Sequence, residues 1–204
     1  MARALDKEGV LLAALMGFII FFYGGLDYLL LMLIFFALAL IVTGYENGMK
    51  REMGLYEHER GWENVLSNGL LPTILAFFSS TLGPLPYIAC IAAVTADKFG
   101  SEVGVLGGKP INLADLKPAK PGVSGAVTMM GTVASLAGAS AIGFCAMYVF
   151  GINATLALLI GFAGLLGSIV DSAFGVLEER GVGTKGTTNF ICSIVGAVIG
   201  YLLR

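Results

Sequence analysis

Residues 28–44 read YLLLMLIFFALALIVTG, seventeen positions without a charge. A helix rises 1.5 Å per residue, so this run covers about 25 Å of the roughly 30 Å hydrocarbon layer of a bilayer. It therefore reads as a membrane helix. Gly24-Gly25-Leu26-Asp27 precedes it as a turn, and a second apolar run over 9–24 makes a hairpin with it. Phe21-Phe22-Tyr23-Gly24-Gly25 is a poor small-residue cleavage site, so 9–24 is taken as part of the fold rather than as a signal peptide. The rest of the chain agrees: mean hydropathy is +0.87, and 57% of residues are hydrophobic. Only 13% are charged, against about a quarter in a soluble domain. The net charge of −2 gives no footprint of a nucleic-acid partner. Cys90, Cys145 and Cys192 lie far apart in apolar runs, which suits small core residues better than disulfides or zinc.

The expected fold class is all-α, a single transmembrane domain over 1–204 built as a polytopic bundle of about seven helices. These are expected at about 9–24, 28–44, 65–82, 84–97, 123–149, 153–177 and 188–203, with Gly83-Pro84 dividing the long run in the middle. The connectors 45–64, 98–121 and 178–187 then share one side. Together with the N-terminal tail they carry every Lys and Arg except Arg204, so positive charge predicts a cytoplasmic N-terminus. The expected location is the plasma membrane of a prokaryote, with any chemistry on the cytoplasmic face. A chain this small is also a candidate homodimer.

Chemistry concentrates in two places. Ala96-Asp97-Lys98-Phe99-Gly100-Ser101-Glu102 ends an apolar run, and the following loop carries Lys109, Lys117 and Lys120 against Asp115 alone. Carboxylates suit a divalent ion and clustered lysines suit phosphate oxygens, which suggests a magnesium–phosphate site facing a lipid-soluble substrate. Asp171 is the second place. It lies roughly two turns inside Glu178, where an ionisable group costs about 2.5–3.5 kcal/mol and needs a partner or a task. Asp97 is its natural companion. Glu102 joins them only if the helix ends near Gly100, because in a continuous helix it is rotated by about 140° from Asp97.

Small residues recur every four positions at Gly131, Ser135, Ala139 and Gly143, and again at Gly164, Ser168 and Ser172, as expected where helix backbones pack closely. Gly104 to Pro110 lacks the spacing and the hydroxyl residue of a P-loop. The single histidine, His58, sits in a charged segment that suits a solvated surface, so zinc chemistry is not expected.

Four ordered blocks carry a resemblance. They are Arg60-x-Trp62-x-x-Val65-x-x-Asn68-Gly69, Ala96-Asp97 through Ser101-Glu102-x-Gly104, Pro121-Gly122-x-Ser124-Gly125-x-Val127-Thr128, and Gly167-Ser168-x-x-Asp171-Ser172-x-x-Gly175. With them the chain resembles the integral-membrane family that contains the phytyl-phosphate kinase of the plant vitamin E pathway. Lys98, Phe99 and Ala126 depart from that family's commoner threonine, tryptophan and glycine. The resemblance implies transfer of a terminal phosphate, from CTP, to an isoprenyl monophosphate such as phytyl, farnesyl or geranylgeranyl phosphate. It implies Mg²⁺ on Asp97, Glu102 and Asp171. Lys98, Ser101, Lys109, Lys117, Lys120, Gly122, Gly125, Ser172 and Lys185 are then candidates for nucleotide phosphates, and Arg60 and Asn68 for the acceptor. Two other classes remain open: a nucleotidyltransferase making a CDP-activated lipid from the same ions, and an ion-coupled transporter using Asp97 and Asp171.

Overall fold

A computed structural model describes residues 5–55 and 61–204. Asp6 caps the first helix by accepting from the Gly9 amide at 2.6 Å. Helix α1 (Lys7–Ile19) continues as a π turn over Ile20–Gly24, and Gly25, with φ +88°, reverses the chain into α2 (Leu26–Gly44). A short α3 (Asn47–Glu52) lies within the connector that the sequence left polar. Then come α4 (Trp62–Phe77), its one-turn continuation α5 (Ser79–Leu82), and α6 (Leu85–Gly104). The remaining helices are α7 (Met129–Val149), α8 (Ala154–Glu179) and α9 (Lys185–Leu202).

Two boundaries differ from expectation in ways that matter. Helix α6 runs on to Gly104 instead of stopping at 97, since nothing at Gly100 interrupts its hydrogen bonding. Helix α7 begins at Met129 rather than 123, because Gly122 and Gly125 both adopt positive φ and hold the preceding segment as a loop. The long 105–128 connector also carries a two-residue antiparallel ladder. Its strands are β1 (Ile111–Asn112) and β2 (Ala126–Val127), with Ile111 opposite Val127, and it ties the two ends of the connector together.

Four helices are long and apolar enough to cross a membrane: Lys7–Gly24, Leu26–Gly44, Met129–Val149 and Ala154–Glu179. An integral membrane helical architecture follows. Helix α6 is its axis, with every residue from Pro86 to Ala96 buried. The packing is backbone against backbone. A Cβ on Gly164 would stand 2.8 Å from the Ala92 carbonyl oxygen, and one on Gly196 would stand 2.5 Å from that of Ala89. At the glycine Gly143 the neighbour is the Ala157 carbonyl. The small-residue stripes thus bring α8 and α9 onto the alanine face of α6, and α7 onto α8, at distances that no side chain permits. Large side chains such as Leu11, Phe18, Val133, Phe162 and Leu166 face outward instead.

Contacts place the ends of the rods. Thr43 at the end of α2 donates to Glu102 of α6 at 2.9 Å. At the opposite end Ser79 donates to the Tyr23 carbonyl at 2.8 Å, and Arg204 donates to that of Thr81 at 3.3 Å. The C-terminal ends of α2, α6 and α8 therefore gather with the N-terminal ends of α7 and α9. All polar features described next belong to that end.

Candidate active site

Where α6, α7, α8 and α9 meet at this end, a cleft of about 250 Å³ opens between them. Its floor holds Asp97 from α6 and Asp171 from α8, whose carboxyl groups meet at hydrogen-bonding range. Asp171 Oδ1 is buried with no hydrogen-bond partner. Two carboxylates side by side in a desolvated site repel each other strongly, so the arrangement calls for a shared proton or a cation. Lys185, at the start of α9, lies close enough to act electrostatically on Asp97. Thr188 stands within hydrogen-bonding reach of Asp171, while its hydroxyl donates to the Lys185 carbonyl at 3.0 Å.

The roof is the segment Pro121–Thr128. Ser124 anchors it to the end of α8: its amide donates to Glu179 Oε1 and its hydroxyl to Glu178 Oε2, both at 2.9 Å. Only glycine fits at 125, where φ is +78° and a Cβ would stand 2.8 Å from the Val176 nitrogen. Thr128 closes the roof and caps α7, accepting from the Gly131 amide at 2.9 Å and donating to the Gly104 carbonyl at 3.2 Å. Thr184 caps α9 in the same manner. Both helix N-termini open onto the cleft, and their aligned amides and dipoles favour an anion there.

Of the residues singled out from sequence, Asp97, Ser101, Gly122, Gly125, Asp171, Ser172 and Lys185 line this cleft. Glu102 does not. Because α6 continues past Gly100, its carboxylate turns away and is taken up by Lys50 at 2.8 Å, by Lys98 and by Thr43. Glu102 therefore stands apart from Asp97 and Asp171, and Lys98, paired with it, is outside the cleft lining although close enough to act electrostatically on Asp97. Lys50 is fully buried and also donates to the carbonyls of Val42 and Thr43 at the end of α2. The group bolts α2 and α3 to α6. Lys109, Lys117 and Lys120 are exposed on the 105–128 connector outside the cleft, and Lys117 faces Asp115 at 3.4 Å. Asn68 donates within its own helix to Asn64, at 2.8 Å to the backbone. Arg60 and His58 lie outside the described residues.

Several cleft residues were not anticipated. Thr188 and Asn189 come from a helix whose start carries no acidic marker, and Thr128 stood in the Pro121 to Thr128 block without a role of its own. Ser135 and Ser168 hydrogen-bond each other at 3.1 Å and line the same cleft, although their spacing signalled only packing.

The Glu102 assignment has a measurable consequence. Glu102→Gln is expected to lower the thermal midpoint. Lys50→Met is expected to cost about 3 kcal/mol, since removing one partner of a buried pair strands the other. Unchanged midpoints in both variants, followed by calorimetry, would refute this bracing role.

Taken together, the apolar rods and the polar cleft at one end define an integral membrane protein of helical architecture. The chain belongs to the integral membrane protein DUF92 family, whose model matches residues 1–197. It is 38% identical over 207 residues to the Methanocaldococcus jannaschii membrane protein MJ0933, covering 99% of this chain and 87% of that one. It is 27% identical over 235 residues to Protein PGR of Arabidopsis thaliana, covering 97% of this chain and 77% of the other. No solved structure matches.

Proposed function

We propose that this protein is a Mg²⁺-dependent phosphotransferase that moves the terminal phosphate of a nucleoside triphosphate, CTP in our reading, onto an isoprenyl monophosphate. The pairing of Asp97 with Asp171, with Asp171 Oδ1 buried and unpartnered, carries the proposal. Among the described residues no group of three or more His, Cys, Asp and Glu forms a closed cage. Two carboxylates nevertheless fit magnesium, which keeps several waters and is usually held by one or two carboxylates together with substrate phosphates. Asp97 and Asp171 would hold it, and when bound it supplies neutralisation of phosphate charge.

The chain's own groups supply the rest. Lys185 and the amides at the starts of α7 and α9 bind equatorial phosphate oxygens, which carry the charge of the transferring group. Gly122 and Gly125 let the backbone of the roof approach those oxygens without a side chain between. Ser101 and Ser172 present hydroxyls to the same space. No general base is required, because a phosphate monoester has a second pKa near 6 and its attacking oxygen is already mostly deprotonated at neutral pH. In this reading all seven long rods cross the membrane, the N-terminus is cytoplasmic, and the cleft faces the cytoplasm, where nucleotide is available.

The test is direct. Purified protein is incubated with each nucleoside triphosphate, Mg²⁺ and a panel of isoprenyl monophosphates, and both products are identified. An isoprenyl diphosphate with release of CDP supports the proposal. Pyrophosphate release identifies a nucleotidyltransferase instead, and no nucleotide consumption with any acceptor overturns both.

A further inference from the structure

Asn189 of α9 is only 7% exposed and lines the carboxylate cleft, yet its carboxamide makes no hydrogen bond among the described residues. The other neutral polar side chains of the cleft wall are all engaged. Ser101, Thr132, Ser172 and Thr188 donate to backbone carbonyls about one turn back, and the remaining hydroxyls make the roof contacts and the serine pair described above. A carboxamide offers an oxygen acceptor and an NH₂ donor, and leaving both unmet in a buried setting costs free energy that a ligand would recover.

The register between α6 and α9 shows what Asn189 faces. These helices run antiparallel in steps of four: a Cβ on Gly200 would stand 2.5 Å from the Leu85 carbonyl oxygen, and one on Gly196 the same distance from that of Ala89. Cys192 Sγ continues the series by donating to the Ala93 carbonyl at 3.4 Å. One further step brings 188 and 189 level with Asp97. Lys185 acts electrostatically on Asp97, Thr188 reaches Asp171, and Cys192 lies close enough to interact with both carboxylates. At about 100° per residue, positions 185, 188, 189 and 192 share about 100° of arc, so Asn189 belongs to the face that meets the pair. On its other side lies a cavity between α4 and α9, where Leu66, Leu70 and Phe190 make a mainly apolar wall.

We infer that Asn189 is a third protein ligand of the divalent cation held by Asp97 and Asp171, to which it gives its neutral carboxamide oxygen. Two carboxylates already balance the charge of such an ion, so a further ligand is best uncharged. Carboxamide and carboxylate oxygens are both hard donors of the kind that Mg²⁺ and Mn²⁺ take. The inference rests on the cation reading of the carboxylate pair and is independent of which group is transferred.

Mn²⁺ titrated into the full-length protein in detergent, without nucleotide or acceptor and with free ion read by electron paramagnetic resonance, tests the assignment. Asn189→Leu is expected to weaken binding by about tenfold or more, the scale on which single groups around a metal are felt. Asn189→Asp keeps the shape and adds a negative charge, so it is expected to tighten binding by a similar factor. A tighter site also shows that the variant is folded. Parent-like affinity in both variants overturns the inference, and loss of binding in Asp97→Asn alongside that result leaves the carboxylate site standing without Asn189. The expected pattern of affinities with no nucleotide consumed for any acceptor keeps the inference and removes the proposed reaction. No Mn²⁺ bound by the parent overturns the inference and the cation reading together.

Discussion

Asp171→Asn is expected to reduce phosphate transfer by about 10³-fold or more, the scale on which a pre-positioned charge contributes to phosphoryl chemistry. The substitution preserves volume and leaves α8 packed, but it removes one of the two carboxylates that converge on the cleft floor. It also removes their mutual repulsion. The variant should therefore melt at the same temperature as the parent or higher, an outcome opposite to that of an ordinary buried-polar substitution. A second readout follows from linkage: Mg²⁺ should raise the melting temperature of the parent and fail to raise that of the variant. Asp97→Asn is expected to behave alike. Turnover within tenfold of the parent, measured as isoprenyl diphosphate formed, would remove the residue from the mechanism.

Gly196→Ala is expected to destabilise the fold by about 3 kcal/mol or more, at the upper end of the usual cost of overpacking. Its Cβ would stand 2.5 Å from the Ala89 carbonyl oxygen and 2.7 Å from the Ala93 Cβ. Neither neighbour can rotate away, because one is backbone and the other is bonded directly to it. Relief requires α9 to move off α6, which would carry Lys185, Thr188 and Asn189 away from the cleft. Activity should fall together with stability. Gly48 is the control, since it lies in α3 with nothing within 4 Å of an added Cβ. Gly48→Ala there should be neutral or slightly stabilising, because alanine favours helix. Thermal midpoints of the two variants in the same detergent decide the matter, and equal midpoints would refute close α6–α9 contact.

What could be read from sequence follows from how each feature is encoded. Apolar runs and four-residue spacings are local, so the membrane class and the close-packed stripes were legible. Asp171 was legible because a carboxylate deep in an apolar helix is costly enough to need a reason. Its meeting with Asp97 required a partner on another helix, and the sequence offered few other candidates in the apolar interior. Glu102 shows the limit. Its direction depends on whether α6 ends at Gly100 or at Gly104, and boundaries are set by tertiary contacts such as the Thr128 bond to the Gly104 carbonyl. The lysines of the 105–128 connector lie outside the cleft lining for a related reason: loop spacing does not determine where a side chain points, and the β1–β2 ladder rests on pairing across thirteen intervening positions. Lys185 could be proposed only as one cation among several, and Thr188 and Asn189 bore no signal at all.

The complete enclosure of α6 bears on how the protein responds to its lipid surroundings. Bilayers differ in thickness, and a lipid-facing helix answers a mismatch by tilting. Here such adjustment falls on the outward faces of α1, α2 and α7, whereas α6 touches only protein along Pro86–Ala96. Helix α8 is keyed to it at Gly164 and Gly167, where any slide would drive backbone into Ala92 or Ala93. The separation of Asp97 from Asp171 is consequently insulated from acyl-chain length, and the same carboxylate geometry is expected to persist in membranes of quite different composition.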